Sequence, residues 1–328
     1  MSHAIESIAW VSERPWHGLG IEVSNDMSTD DMLVAASLDW TVSQRPLYFP
    51  KEAGSKIMQR AHGKFALTRD SDNKLFDITG ERWNPVQNHE AMDFFREYVA
   101  AGDMTLETAG SLRGGRFIWA LARLGDDFKL GKDDLIANYL LLMSPHQVGY
   151  SLLAYMTNVR VVCANTMASA IGYDFKGKRS GNGFRMTHVR KFDNDAKAEA
   201  RETLGLAYQQ ITEFKELTET LSTTRITDDE VQTFFYEVAQ EEKEIDEDTG
   251  EVVDQPRLIK RFEEALLMAP GQNFDTCKGT LWGACNAVTY VVDHELGRGA
   301  DSRMSSAWMG QGAQLKRRAF ELAANMVA

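Results

Sequence analysis

The sequence predicts an α+β fold, with an antiparallel sheet and flanking helices in an N-terminal core and a mostly helical C-terminal part. Up to about residue 192, runs rich in Tyr, Leu and Ile are bounded by Gly and Pro, as antiparallel strands are. Beyond Asp193, apolar residues recur at helical spacing. Because 328 residues exceed what one hydrophobic core usually organises, we predict two units, residues 1–192 and 193–328.

The first elements follow an opening segment with turn chemistry. Residues 13–20 are rich in Gly and Pro, and we expect no regular element before them. Ser28 or Asp26 then caps a short amphipathic helix over residues 29–38. From Trp40 the apolar period becomes strand-like, and Pro46 limits how far this strand can pair inside a sheet.

A hairpin, a helix and a second set of strands complete the N-terminal core. Residues 64–69 and 74–78 flank a polar turn and predict the hairpin. Asn88 is expected to cap a helix over residues 89–101. A short helix over residues 161–171 closes the core. The second set of antiparallel strands is expected at residues 117–122, 135–143 and 150–157.

The C-terminal part is predicted to consist of helices and one acidic excursion. Residues 241–254 contain eight acids and one Lys around a Thr-Gly turn, which is typical of a solvated excursion. Pro256 suits the first position of the helix that follows. Helices are expected over residues 196–221, 228–240, 256–268, 280–294 and 305–325.

The formal net charge of −12 is unevenly distributed along the chain. Residues 1–192 contain 22 Lys and Arg against 22 Asp and Glu, so they are neutral. Residues 193–328 contain 14 basic and 26 acidic residues and carry the whole excess. Since local fields decide which partner can approach, the overall acidity does not exclude nucleic acid as a partner of the core.

Several classes of protein are disfavoured by what the sequence lacks. It has no apolar run long enough for a membrane span and no secretory signal at its N-terminus. The odd set of Cys163, Cys277 and Cys285 favours a reducing compartment, so we expect a cytoplasmic protein. Phosphate-binding loops, dinucleotide fingerprints, zinc motifs and nucleophile elbows are missing from the sequence. We therefore expect no enzyme, no cofactor and no metal site.

Residues 176–191, which we call the basic segment, are the strongest indication in the sequence of a polyanionic partner. The segment has six basic residues, no acidic residue and three glycines that allow close backbone approach. Phe184, with Tyr173, can offer a base-stacking surface. The alternative is a solvated loop whose charge balances the acidic helices. The candidate phosphate ligands in the segment are Lys176, Lys178, Arg179, Arg185, Arg190 and Lys191.

A second basic cluster, Arg113 and Arg116, lies on a Gly-rich turn before an aromatic strand. These arginines suit a phosphate contact or an ordinary hairpin tip. Arg160 lies between apolar residues, so a carboxylate partner in the core is favoured over a ligand. The basic triplet 316–318 suits contact with another subunit or a phosphate.

Two further residues have chemistry that a site could use. His17 fits a turn histidine better than a site residue. Cys163 fits a buried small hydrophobe better than a nucleophile, because its immediate flanks supply no base.

Four motifs resemble those of the phage/plasmid-like protein family built on a domain of unknown function. They are PWHGLG at 15–20, PVQN at 85–88, NVRVVCANT at 158–166 and GTLWGACNAVT at 279–289. The resemblance implies a mobile-element protein that works in a bacterial cytoplasm, and it carries no catalytic residue. The order of short sheet, helix and basic hairpin is also similar to that of the single-strand annealing proteins of phages.

We therefore expect a DNA-handling protein that binds single-stranded DNA and promotes strand annealing or recombination without hydrolysing a nucleotide. In this mechanism cations neutralise phosphates, aromatic side chains stack bases, and a homo-oligomer extends the binding surface. The alternative is a host-takeover or anti-defence protein whose acidic helical surface binds a basic host protein. No membrane partner is expected.

Overall fold

A computed structural model describes residues 5–11, 21–24, 27–101, 104–160, 165–168, 183–242 and 255–328. Its strands are β1 (Ile5–Val11), β2 (Ile21–Val23), β3 (Val42–Pro50), β4 (Met58–Arg69), β5 (Leu75–Gly80), β6 (Thr105–Leu112), β7 (Phe117–Arg123), β8 (Phe128–Leu130), β9 (Asp134–Pro145), β10 (Leu152–Arg160), β11 (Asn165–Ala168) and β12 (Phe184–Met186). Its α-helices are α1 (Thr29–Ala35), α2 (Asn88–Ala101), α3 (Asn194–Thr223), α4 (Asp228–Ala239), α5 (Arg257–Met268), α6 (Leu281–Tyr290), α7 (Ala300–Met309) and α8 (Gln311–Val327).

These elements confirm the predicted α+β class, with antiparallel sheets and helices in the C-terminal part. A large sheet has the strand order β11-β10-β9-β7-β6-β1-β2, with β8 beside β9 and β12 beside β10. Its described pairs are antiparallel except β1 with β2, which are parallel.

Both faces of the large sheet pack against apolar side chains. One face shares a hydrophobic cluster with α1, α2 and the start of α3, including Met32, Phe95 and Ala196. The opposite face carries a second cluster, in which the Trp119 ring meets the Trp308 ring of α7 edge to face, with centroids 5.1 Å apart. Since the strands are buried on both faces, their sequences read as nearly continuous apolar runs.

The C-terminal helices share a third cluster with one end of the large sheet. Phe128, Leu130 and Ile136, on β8 and β9, pack with side chains of α3, α4, α5, α6 and α8. The first cluster likewise joins the sheet to Ala196 and Ala200 at the start of α3. Core packing therefore crosses the predicted boundary at residue 192. None of the described helices is both long and apolar enough to cross a membrane.

A second, small sheet has the strand order β3-β4-β5. Its strands come between β2 and β6 along the chain. Its β4–β5 pairing confirms the predicted hairpin. Pro46 lies in β3, an edge strand, which confirms the expectation that this proline restricts central pairing. Ser28 caps α1 with its side chain, as the sequence indicates.

Asn88 does not cap α2 as predicted. The first helical bond runs from the Ala91 amide to the Gln87 carbonyl, so α2 begins one residue earlier. The buried Asn88 amide instead donates to the carbonyls of Leu38 and Trp40. Asn88 therefore forms hydrogen bonds with residues that are distant in sequence instead of capping the helix.

Three other expectations about local structure are wrong. The predicted helix over residues 161–171 is contradicted by β11, which pairs antiparallel with β10 from Thr157 to Arg160. The predicted helix over 305–325 is two helices, because the chain bends at Gly310 between α7 and α8. The opening segment is not irregular, since β1 precedes the Gly- and Pro-rich residues and pairs with β6.

Candidate nucleic-acid interface

The outer half of the β3–β4 hairpin projects beyond the small sheet. β5 pairs only with Lys64–Thr68 of β4. Further out, β3 and β4 pair with each other alone, with Tyr48 opposite Arg60 and Pro50 opposite Met58. We call residues 48–64 the arm. An isolated two-stranded ribbon is marginally stable in water, so the arm depends on the small sheet at its base for its stability.

A bulge at the base of the arm re-aims it. Pro46 lies opposite Phe65 and Tyr48 lies opposite Arg60, so the single residue Leu47 faces residues 61–64. Gly63 within this bulge has φ of 69°, in the left-handed region that glycine adopts without strain. Bulges of this kind bend a strand and redirect its side chains.

Large apolar side chains on the arm are exposed to solvent. The exposed fraction is 51% for Tyr48, 45% for Phe49, 67% for Ile57 and 52% for Met58. The strand register puts Tyr48 and Arg60 on one face of the ribbon and Phe49 with Gln59 on the other. A cluster of exposed apolar residues is typical of an interaction site rather than of ordinary surface.

The arm is also strongly basic. It carries Lys51, Lys56, Arg60 and Lys64 against the single acid Glu52. All five side chains are exposed. Within the described part of the chain, none of the four cations forms an ion pair or a side-chain hydrogen bond. Their positive charge is therefore available to a partner.

The base of the arm lies next to the described end of the basic segment. Lys64 is paired with Gly80. A few residues later, the Asn84 side chain donates to the Val189 carbonyl at 3.1 Å, and the Trp83 ring stacks on His188 with centroids 4.3 Å apart. The contact of residues 83–84 with residues 188–189 therefore lies within four residues of Gly80, the strand partner of Lys64.

The nine predicted phosphate and base ligands have different surroundings. Lys176, Lys178 and Arg179 lie outside the described residues. Lys191 is exposed, and Arg190 is exposed but pairs with Glu199 at 2.9 Å. Arg185 is half-buried, and its Nε donates to the Ser151 hydroxyl at 3.0 Å.

Phe184 does not offer the stacking surface that the sequence indicated. Its side chain is only 2% exposed and belongs to the cluster under the large sheet. Its ring centroid lies 6.4 Å from that of Phe192. The aromatic side chains available to a ligand are instead those of the arm.

Arg113 and Arg116 make contacts within the chain, as residues of an ordinary hairpin tip do. The Arg113 guanidinium lies 4.9 Å from the Phe117 ring centroid and donates weakly to the Tyr150 hydroxyl at 3.4 Å. Arg116 is half-buried, and its Nε donates to the Phe76 carbonyl at 2.9 Å. Both side chains are engaged within the chain.

Arg160 is buried with a carboxylate partner, as its apolar flanks predict. It donates to both oxygens of Asp134, at 2.6 and 2.9 Å. Thr276 and the Trp282 indole also donate to the same carboxylate. Two of the quoted motifs, at 158–166 and 279–289, therefore meet in one buried network.

The basic triplet of α8 is also used within the chain. Lys316 is buried and donates to Asp293 at 2.8 Å, and burial lowers the pKa of its ammonium despite that carboxylate. Arg317 lies 3.6 Å from Glu321, and Arg318 donates to the Val238 carbonyl. The predicted contact of this triplet with a phosphate or a subunit stays a prediction.

Two buried histidines, His146 and His188, add to these buried polar groups. His146 Nε2 lies 2.9 Å from the Asn88 amide oxygen, and His188 Nδ1 lies 3.0 Å from the Asn84 carbonyl oxygen. Burial lowers the pKa of His146 to about 3 and that of His188 to about 4. His17 and Cys163 lie outside the described residues. Across the described ranges, no three His, Cys, Asp or Glu side chains converge as metal ligands would.

Comparisons with known proteins give a family and no named function. A search of curated proteins and a search of solved structures each found no significant match. A family model described as Domain of unknown function (DUF932) matches residues 76–309, which run from the second residue of β5 to the end of α7. Because this match covers more than half of the chain, the protein belongs to the DUF932 family.

Proposed function

We propose that this protein binds single-stranded DNA through the arm and promotes the annealing of complementary strands without hydrolysing a nucleotide. The observation that carries the proposal is the combination of four unneutralised cations with exposed Tyr48 and Phe49 on one projecting ribbon. Binders of single strands combine a cationic track for the phosphates with aromatic platforms for the bases.

The arm suits this chemistry on both of its faces. Tyr48 and Arg60 are cross-strand neighbours, so a base stacked on the tyrosine has a guanidinium beside its phosphate. Phe49 offers a second ring on the opposite face. Both faces of the arm are open to solvent, so one arm can contact two strands.

The described end of the basic segment adds to the proposed surface. Arg190 and Lys191 follow the contact between Asn84 and Val189 at the base of the arm. Annealing further needs several such surfaces side by side, so we propose a homo-oligomer. The resemblance of the sequence motifs to phage/plasmid-like proteins supports work on a mobile element in a bacterial cytoplasm.

The proposal is tested by an annealing assay with matched charge variants. The arm variant carries Lys51→Ala, Lys56→Ala, Arg60→Ala and Lys64→Ala. The control carries Lys129→Ala, Lys132→Ala, Lys260→Ala and Lys278→Ala, four exposed lysines on other elements. Native mass measurements give the oligomer number of each protein.

We expect the arm variant to lose annealing of complementary oligonucleotides while the control retains it. Equal annealing by the two variants, or none by the wild type, contradicts the proposal. The alternative is that the acidic helices bind a basic host protein. It predicts that the wild type, the arm variant and the control all fail to bind DNA.

A further inference from the structure

An open cavity of about 510 Å³ lies in the C-terminal helical part, between α5, α7 and the start of α8. Arg257 and Arg261 of α5 form one wall, and Ser306, Gln311 and Gly312 form another. No Asp or Glu is among the described residues that line it. This is unexpected, because acids outnumber bases in residues 193–328 by 26 to 14.

The two arginines share one face of α5, because they are four residues apart. Neither guanidinium has a carboxylate within salt-bridge distance in the part of the chain that the structure describes. Arg261 makes one long hydrogen bond, from Nη1 to the Glu295 carbonyl at 3.4 Å. Burial raises the pKa of the Glu295 carboxyl, and this effect outweighs the nearby Arg261 charge, which acts to lower that pKa. Like charges at this spacing destabilise a helix, and an anion bound between them removes that penalty.

The opposite wall exposes backbone and polar groups. A side chain at Gly312 would place Cβ 2.8 Å from Val292 Cγ1, so only glycine fits here. Ser306 Oγ accepts a hydrogen bond from the Gly312 amide at 3.1 Å and is fixed at the cavity wall. These groups line the same cavity as the two arginines.

The remaining lining is apolar. Leu258, Leu296 and Leu315 complete the wall between the polar groups. Small-molecule sites typically combine an apolar lining with a few charged groups that fix orientation, in volumes of about 300–1,000 Å³. The cavity therefore suits an anion that carries an apolar or planar group.

We propose that this cavity binds a phosphorylated small molecule of the nucleoside monophosphate class. Arg257 and Arg261 hold the phosphate through paired N–H donors, for which the planar guanidinium is well shaped. The leucines contact the base and sugar. This site is separate from the arm, and its occupation does not depend on DNA binding.

The test is calorimetric titration of the full chain with deoxyadenosine 5′-monophosphate, deoxyadenosine and inorganic phosphate. We expect saturable binding of the nucleotide, weaker binding of phosphate and none of the nucleoside. Arg257→Ala and Arg261→Gln each weaken nucleotide binding by about tenfold or more, the effect of losing a charge-assisted hydrogen bond. Lys260→Ala, an exposed cation of the same helix outside the cavity, leaves the affinity unchanged.

The absence of saturable nucleotide binding by the wild type overturns the proposal. So does wild-type affinity in an Arg257→Ala protein with an unchanged melting temperature, or equal affinity for phosphate and nucleotide. Because Arg257 is exposed, its substitution should leave the fold intact even if Arg261→Gln does not. The Arg257→Ala protein is expected to bind single-stranded DNA as the wild type does. The proposal for the cavity and the proposal for the arm can therefore be refuted separately.

Discussion

Asp134, the first residue of β9, receives two hydrogen bonds from Arg160, the last residue of β10. Both side chains are buried, and the Trp282 indole of α6 donates to the same carboxylate at 2.9 Å. Arg160 also donates to the Gly271 carbonyl at 3.0 Å. The pair therefore ties one end of strands β9 and β10 to the C-terminal helices.

Removing one partner of this pair should destabilise the fold strongly. Arg160→Met or Asp134→Leu leaves an uncompensated buried charge, which costs about 3–5 kcal/mol of unfolding free energy. The double variant should lose less than the sum of the two single variants, because neither charge remains. Urea unfolding of the four proteins measures this coupling, and strictly additive losses contradict the inferred role.

The sequence predicted that Arg160 needs a carboxylate in the core, but it did not identify Asp134. The partner lies 26 residues earlier on another strand, and only strand register brings the two together. Asn88 shows the same limit, because its local pattern suits a helix cap. The carbonyls of Leu38 and Trp40 take its donors instead, and they come from 48 to 50 residues away.

Acid should destabilise the fold through two buried histidines. Burial lowers the pKa of His146 to about 3 and that of His188 to about 4, against an ordinary value of 6.5. The unfolded chain therefore binds protons first as the pH falls below 6.5. The contribution of each neutral histidine to the unfolding free energy is fully present above pH 6.5 and is lost as the pH falls towards 4. The loss is about 2 kcal/mol per histidine between pH 7.5 and 5.

Urea unfolding at several pH values checks this expectation. His146→Gln lowers stability at pH 7.5 and flattens the decline between pH 7 and 5. His89→Gln, an exposed histidine next to Asn88, is the control and should keep the wild-type decline. An unchanged pH dependence in His146→Gln contradicts the assignment of a neutral buried imidazole.

The arm rings should contribute to DNA affinity without contributing to stability. Tyr48→Ala and Phe49→Ala each remove an exposed ring that can stack a base, at a cost of about 1–3 kcal/mol in binding. Exposed side chains change unfolding free energy by about 0.5 kcal/mol or less. Fluorescence anisotropy with single-stranded DNA and thermal melting separate the two effects.

Leu75→Ala is the matched control for the rings. Leu75 is an exposed apolar residue of β5 in the same small sheet, outside the arm. Its substitution should leave DNA affinity unchanged. A loss of affinity in this control as large as that in the ring variants would assign the effect to the sheet rather than to stacking.

The arm itself was not singled out from the sequence, whereas the basic segment was. The segment has six basic residues and no acid within 16 positions, which is conspicuous in a linear pattern. The four arm cations are spread over residues 51–64 and interrupted by Glu52. Their significance depends on β5 ending at Gly80, which leaves the outer ribbon unpaired. The neighbouring β4–β5 hairpin, by contrast, was predicted from its two strand-like runs and the polar turn between them.

The most direct test of DNA binding by the arm is the salt dependence of affinity for an unstructured single strand. Wild type, the arm variant and the four-lysine control are titrated across a range of salt concentrations. Each phosphate contact adds about 0.7 to the slope of log affinity against log salt. We predict that the arm variant binds more weakly and has a slope shallower by up to about 3, while the control keeps the wild-type slope. The same slope and affinity in arm variant and control would contradict DNA binding by the arm.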